Sequence, residues 1–112
     1  MEIETEVIGN GILVIKLKGR MQLKDLQEIE SRFRKHIKTK QSVIVDLSGL
    51  EVLFSMALRA LIVCAQSVQL RGGRFALVAP TENILTVLKA SGVTKLMHVC
   101  ASRLEAVAVV SV

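Results

Sequence analysis

The sequence predicts an α/β domain: one mixed sheet with about four helices packed on it, in the order ββαβαβαβα. Three observations carry this. Residues 2–18 alternate apolar and charged side chains on either side of a glycine-rich turn, the pattern of a hairpin with one buried face. Two later runs, Val43-Ile44-Val45 and Phe75-Ala76-Leu77-Val78, are apolar without alternation, as strands covered on both faces are. Between and after them lie stretches with apolar residues at helical spacing, so strands and helices alternate and right-handed crossovers place helices on the sheet.

The hairpin sets Ile3, Thr5 and Val7 against Leu17, Ile15 and Leu13, with Gly9-Asn10-Gly11 as its loop. The opposite face then pairs Glu4 with Lys16 and Glu2 with Lys18. A two-residue loop would set Glu6 against Ile15 and Glu4 against Leu17, so the pattern selects the three-residue register. Gly19 ends the hairpin. Asp25 with Glu28 reads as a capping box, and Leu26, Ile29, Phe33 and Ile37 follow at helical spacing to an end near Lys40. Glu28/Arg32 and Glu30/Arg34 are spaced as i,i+4 pairs.

The strand from Ser42 to Leu47 carries one carboxylate, Asp46, and the chain is read as turning through Ser48-Gly49. Ser55 opens a second helix to Leu70 at its N-cap, and that helix is apolar almost all round. Leu58, Leu61, Ile62, Ala65 and Val68 form one face; Met56, Ala60, Val63 and Ser67 form another. Such a helix is either central or shared with a partner, a second copy in a homodimer included. Arg71-Gly72-Gly73 stops it, and Arg74–Ala79 is the next strand. Thr81 caps a third helix that closes at Ser91-Gly92. Leu96–Cys100 is a last strand holding His98, read as packed or edge-exposed, and Ser102 with Glu105 caps the final helix.

The 112 residues fit one domain spanning 1–112, 51% of it hydrophobic and 22% charged, a globular composition. The net charge is +5, with Arg32, Arg34, Lys35, Lys38 and Lys40 clustered and read as a solvated helix end. Three Phe and no Trp or Tyr disfavour nucleic-acid modules that stack bases on aromatic side chains. Cys64 and Cys100 lie in apolar stretches without metal-ligand spacing, as buried free thiols do in a reducing compartment. No signal peptide opens the chain and no apolar run reaches the roughly 18 residues of a membrane span. The expectation is a cytoplasmic protein without direct membrane insertion.

Little catalysis is encoded. There is no GxSxG turn at Ser55, no P-loop, no metal-ligand set and no carboxylate pair in the apolar half of the chain. The expectation is a protein that is not an enzyme and needs no cofactor. What stands out is Ser55, a hydroxyl at a helix N-terminus, where backbone N–H groups favour an anion. A phosphate there is tolerated by its own chain, and it brings about two negative charges into any partner contact on that surface.

An ordered set of residues resembles one family. Gly19-Arg20 follows the hairpin; then come Asp46-Leu47-Ser48-Gly49-Leu50, Ser55 with Leu58 and Leu61, and Arg71-Gly72-Gly73. Leu77-Val78 with Pro80, Leu88 with Ser91-Gly92-Val93, and Glu105-Ala106 complete it. This arrangement resembles the STAS domain, the fold of bacterial anti-sigma factor antagonists, over nearly the whole chain. The family's motif before the long helix reads Asp-Ser-Ser/Thr-Gly-Leu. Its serine is phosphorylated by a partner kinase that is also an anti-sigma factor, and the unphosphorylated domain binds that partner.

The resemblance therefore implies a regulatory module that binds an anti-sigma factor/serine kinase through Phe54, Ser55, Met56 and Arg59, with Ser55 the phospho-acceptor. This chain departs from the motif: Phe54 stands for Asp, Met56 for the polar residue and Ala57 for Gly. The corner loses a carboxylate that would position the hydroxyl and gains apolar surface. Two other readings follow. One keeps the fold as a non-switching subunit of an ABC-type lipid transporter or a stress-signalling scaffold. The other is a nucleotide or small-molecule module using the strand ends near Asp46 and Ala79.

Overall fold

A computed structural model describes residues 1–9, 11–37 and 41–111. A five-stranded sheet runs in chain order, β1 (Glu2–Ile8), β2 (Ile12–Arg20), β3 (Val43–Val52), β4 (Phe75–Val78) and β5 (His98–Cys100). The β1–β2 hairpin is antiparallel and the other pairings are parallel. Four helices follow the strands: α1 (Asp25–His36), α2 (Ser55–Leu70), α3 (Glu82–Ala90) and α4 (Arg103–Val110), with a 3₁₀ turn at Val93–Lys95. This is the single α/β domain with the predicted order ββαβαβαβα.

A sheet whose parallel strands are laid down in sequence, all stepping in one direction, puts every right-handed crossover on the same face. The core follows that rule. Leu26, Ile29 and Phe33 of α1, Leu61 and Val68 of α2, and Leu88 of α3 share one buried cluster with Leu17, Leu47 and Leu77 of the sheet. Helix α4 alone covers the other face, where Ala106 and Val110 meet Val14, Ile44 and Ala76. Both faces of β3 and β4 are therefore covered, which is why Val43–Val45 and Phe75–Val78 show no alternation.

The hairpin register is the predicted one: Ile3 faces Leu17, Thr5 faces Ile15 and Val7 faces Leu13. Asn10 lies outside the described residues. On the polar face Lys18 reaches diagonally to Glu4 at 3.1 Å. Strand β1 is one edge of the sheet, and its Val7 is exposed. Strand β2 runs through Gly19 to Arg20 rather than ending there.

Four local expectations are corrected. The chain does not turn at Ser48-Gly49: β3 continues to Val52, with irregularities against β2 between Lys16 and Lys18 and between Gly19 and Arg20. Each inserts one extra residue into β3, and the apolar phase moves with it from Leu47 to Leu50. Asp25 is no N-cap. That position is Lys24, and the buried Asp25 carboxylate accepts from the Gln22 N–H at 2.7 Å. Helix α1 ends at His36, because Ile37 is extended; Lys38 and Lys40 lie outside the described residues. The last strand begins at His98, not Leu96, since Leu96 caps the 3₁₀ turn that precedes it.

The caps read at Thr81 and Ser102 stand. Thr81 accepts from the Ile84 N–H at 3.5 Å, and Ser102 from the Glu105 N–H at 3.2 Å, while Glu105 reaches back to the Ala101 N–H. The glycines after α2 close a Schellman motif: the Gly73 N–H bonds the Val68 carbonyl and the Gly72 N–H the Gln69 carbonyl, both at 3.0 Å. Gly72 has φ +86°, the left-handed region. Gly73 is needed for space, since a Cβ there would lie 2.1 Å from the Gln41 carbonyl oxygen.

Candidate partner-binding site

The corner between β3 and α2 is built by three residues. Leu53 is buried, Phe54 packs half-buried against the main core, and Ala57 is 1% exposed at the first inward position of the helix. These anchors leave Ser55, Met56 and Arg59 on the outside. The structure brings the predicted contact residues together: Ser55, Met56 and Arg59 line one cavity of about 500 Å³ with Leu26 and Glu30 of α1. Phe54 backs this surface from the core side.

Ser55 is not the N-cap. Phe54, with extended backbone, holds that position, and its carbonyl accepts from the Leu58 N–H at 3.0 Å. Phe54 has no side-chain acceptor, so no side chain caps the N-terminus of α2. Ser55 sits at the first helical position, exposed, and Arg59 follows one turn later on the same side. The first turn of α2 holds no acid. An anionic group on Ser55 would therefore meet free backbone N–H groups, the positive end of the dipole and a guanidinium.

Asp46 belongs elsewhere. It points to the α4 side of the sheet, is 5% exposed, and does have a partner. One carboxylate oxygen accepts from the Ser48 N–H at 2.9 Å, satisfying a group that the bulge removes from the ladder. The other accepts from Arg103 Nη2 at 3.1 Å, and Arg103 Nη1 donates to Glu6 at 2.7 Å. Burial pushes the Asp46 carboxyl up, but the Ser48 bonds and Arg103 outweigh it and hold it below its ordinary value. Arg103, which bolts α4 to the sheet, was not singled out in the sequence. The available signal was a cation in the first turn of a helix, the unfavourable end of the dipole, which calls for a carboxylate nearby.

The structure places the two anchors of the small-molecule reading apart. Ala79, one of its two anchors, lines a cavity of about 560 Å³ with Lys89, Thr94 and His98. Asp46 does not reach that cavity, because Arg103 and Ser48 hold its carboxylate. The exposed His98 lies at the β5 edge. In the basic segment of α1, Arg32 pairs with Glu28 at 3.2 Å and donates to the Ile3 carbonyl at 2.8 Å, and Arg34 lies 3.9 Å from Glu30. Cys64 and Cys100 are buried free thiols; burial, with Glu30 adding, pushes Cys64 up to about 11. Among the described residues, no helix is long and apolar enough to cross a membrane.

The comparisons with known proteins fit this architecture. The model of the STAS domain family matches residues 2–106, and the chain belongs to that family. An anti-sigma factor antagonist from Mycobacterium paratuberculosis superimposes with a TM-score of 0.85 at 20% identity, covering 99% of this chain and 96% of that one. An anti-sigma-factor antagonist (STAS) domain protein from Planctomyces limnophilus gives 0.83 at 19% identity, covering 98% of both chains. SpoIIAA, the Bacillus cell fate determinant, in its phosphorylated form gives 0.73 at 19% identity, covering 95% of this chain and 96% of that one. At such identities the likeness is one of fold. No significant match is found among curated proteins.

Proposed function

We propose that this chain is a cytoplasmic regulatory module that binds another protein and catalyses nothing itself. Its partner is an anti-sigma factor that is also a serine kinase, and the contact is the corner of Phe54, Ser55, Met56 and Arg59. The observation that carries the reading is the exposed Ser55 at the uncapped N-terminus of α2, beside exposed Met56 and Arg59. SpoIIAA, which shares the fold, exists in phosphorylated and unphosphorylated forms. Phosphate on Ser55 would be stable in its own domain, for the dipole and Arg59 favour it. It would be unwelcome to a partner seated on Met56, since it puts about two charges into an apolar contact.

Incubation with a GHKL-type serine kinase and ATP, followed by mass spectrometry, tests the switch. Ser55 is the expected site. An unmodified Ser55 under conditions that phosphorylate a control STAS domain refutes it.

A second reading has its own support. Phe54 turns its ring to the core where the family motif has a carboxylate, and Ala57 fills with a methyl the place of the motif's glycine. A corner so built keeps its binding surface but lacks the acid beside the hydroxyl. That favours a non-switching subunit, of an ABC-type lipid transporter or a stress-signalling scaffold. Pull-down from the native host separates the two: a transporter ATPase or scaffold subunit supports this reading, and a kinase supports the first.

A further inference from the structure

The exposed apolar surface of α2 does not stop at the corner. Met56 and Val63 are 57% and 56% exposed, and Ala60 lies between them at i+4. The cavity beside Met56 shares Glu30, Ala60 and Val63 with a second one of about 360 Å³ that reaches Phe33, Ser67 and Arg71. The two form one trough between α1 and α2. From Met56 to Arg71 it is about 22 Å long, the length of a helix of about 15 residues.

The rim of the trough is basic. Arg34 stands on α1, Arg59 on α2 and Arg71 at the C-cap of α2, against Glu30, the one acid among the lining residues. Arg34 already lies 3.9 Å from Glu30; Arg59 and Arg71 make no ion pair among the described residues. We infer that this trough seats a helix of a second protein, one with an aliphatic stripe flanked by carboxylates. The stripe lies over Ala60 and Val63, and the acids reach Arg59 and Arg71. A second copy of this chain is the wrong occupant, because a two-fold contact would set the same basic rim against itself. A flat anionic bilayer fits a trough between two helices less well than a rod does. The inference rests on the protein-binding reading above but needs no chemistry at Ser55.

Two lactam-stapled 15-residue helices with the same Leu/Ala stripe, one flanked by Glu and one by Lys, test it against the full ¹⁵N-labelled chain. The Glu peptide is expected to shift the amide signals of Leu26, Glu30, Ala60 and Val63 and to bind about tenfold tighter than the Lys peptide. Val63→Glu, at an exposed position that tolerates charge, should weaken it about tenfold, and Arg59→Glu should reverse the preference between peptides. Equal binding of both peptides, shifts centred elsewhere, or tighter binding to phosphatidylglycerol vesicles than to the Glu peptide overturns the inference. Phosphate transfer to Ser55, measured on the same samples, keeps the readings apart. Transfer with no peptide binding removes the trough alone; peptide binding with no transfer removes the switch alone.

Discussion

Replacing Arg103 with Met should cost this domain about 2 kcal/mol, and the cost should vanish in acid. The substitution keeps an unbranched stem in the first turn of α4 and removes both charged bonds, to Asp46 at 3.1 Å and to Glu6 at 2.7 Å. The Glu6 arm is exposed on both sides and contributes little. The Asp46 arm dominates, since its side chain is 7% exposed. Stranding a fully buried charge costs about 3–5 kcal/mol. Here the Arg103 side chain is 37% exposed and Asp46 keeps its bond to Ser48, so about 2 kcal/mol is the discounted figure. At about 2.1 cal/mol/K of unfolding entropy per residue, that lowers Tm by roughly 8 °C.

The pH dependence has a definite sign. In the fold the Asp46 carboxyl sits below its ordinary value of 3.8, so the unfolded chain takes up that proton first as pH falls. The pair's contribution is complete above about pH 5 and is lost as pH drops through the folded value. Chemical denaturation of Arg103→Met, Asp46→Asn and the double variant at pH 7 and pH 3 measures this. The expected coupling is at least about 1 kcal/mol at pH 7 and clearly smaller at pH 3, where the unfolded chain already holds the proton. A cost for Arg103→Met that is the same at both pH values would refute the reasoning, for the side chain would then act by packing.

Other perturbations have equally direct readouts. Gly73→Ala should lower Tm by about 10 °C or more, because its Cβ meets backbone at Gln41, whereas Gly72→Ala should cost about 1–2 kcal/mol for its left-handed φ; the order of the two melts is the check. Ser55→Asp should raise stability by about 0.5 kcal/mol in low-salt denaturation, the gain of an acid in an acid-free first turn, and should weaken binding of an anti-sigma kinase; unchanged binding counts against the corner. Phe54→Asp should increase phosphate transfer to Ser55 while costing about 2 kcal/mol of half-buried packing, seen as a lower denaturation midpoint. Cys64, protonated at pH 8 and buried, should react with Ellman's reagent only on unfolding; a fast thiol phase in the native protein that Cys64→Ala abolishes would contradict its placement.

What was legible in the sequence was whatever depends on periodicity. The hairpin register follows from alternation, because a one-residue slip would turn Glu4 and Glu6 into the core. The apolar runs of β3 and β4 announced strands covered on both faces. The misreadings fall where one residue type serves two geometries. Ser48-Gly49 has the composition of a turn, but in the fold it is a bulge in β3, with the Ser48 N–H bonded to the Asp46 carboxylate. Asp25 looks like a cap, yet its carboxylate serves the turn before the helix. At the site, Ser55, Met56 and Arg59 were readable as one surface because they are close in sequence. The α1 wall of the trough was not, since Leu26 and Glu30 meet α2 only through the fold.

The two bulges in β3 have a consequence for chain length. Between Lys16 and Arg20 of β2, β3 spends six residues where β2 spends four steps, so two of its residues are surplus to the ladder. Removing Ser48 would bring Leu47 and Leu50 into plain alternation on the same face, with every later residue still opposite its present neighbour in β2. Removing Val45 instead would turn the strand that follows inside out. The segment just before the β3–α2 corner is thus the part of β3 where losing one residue disturbs the ladder least.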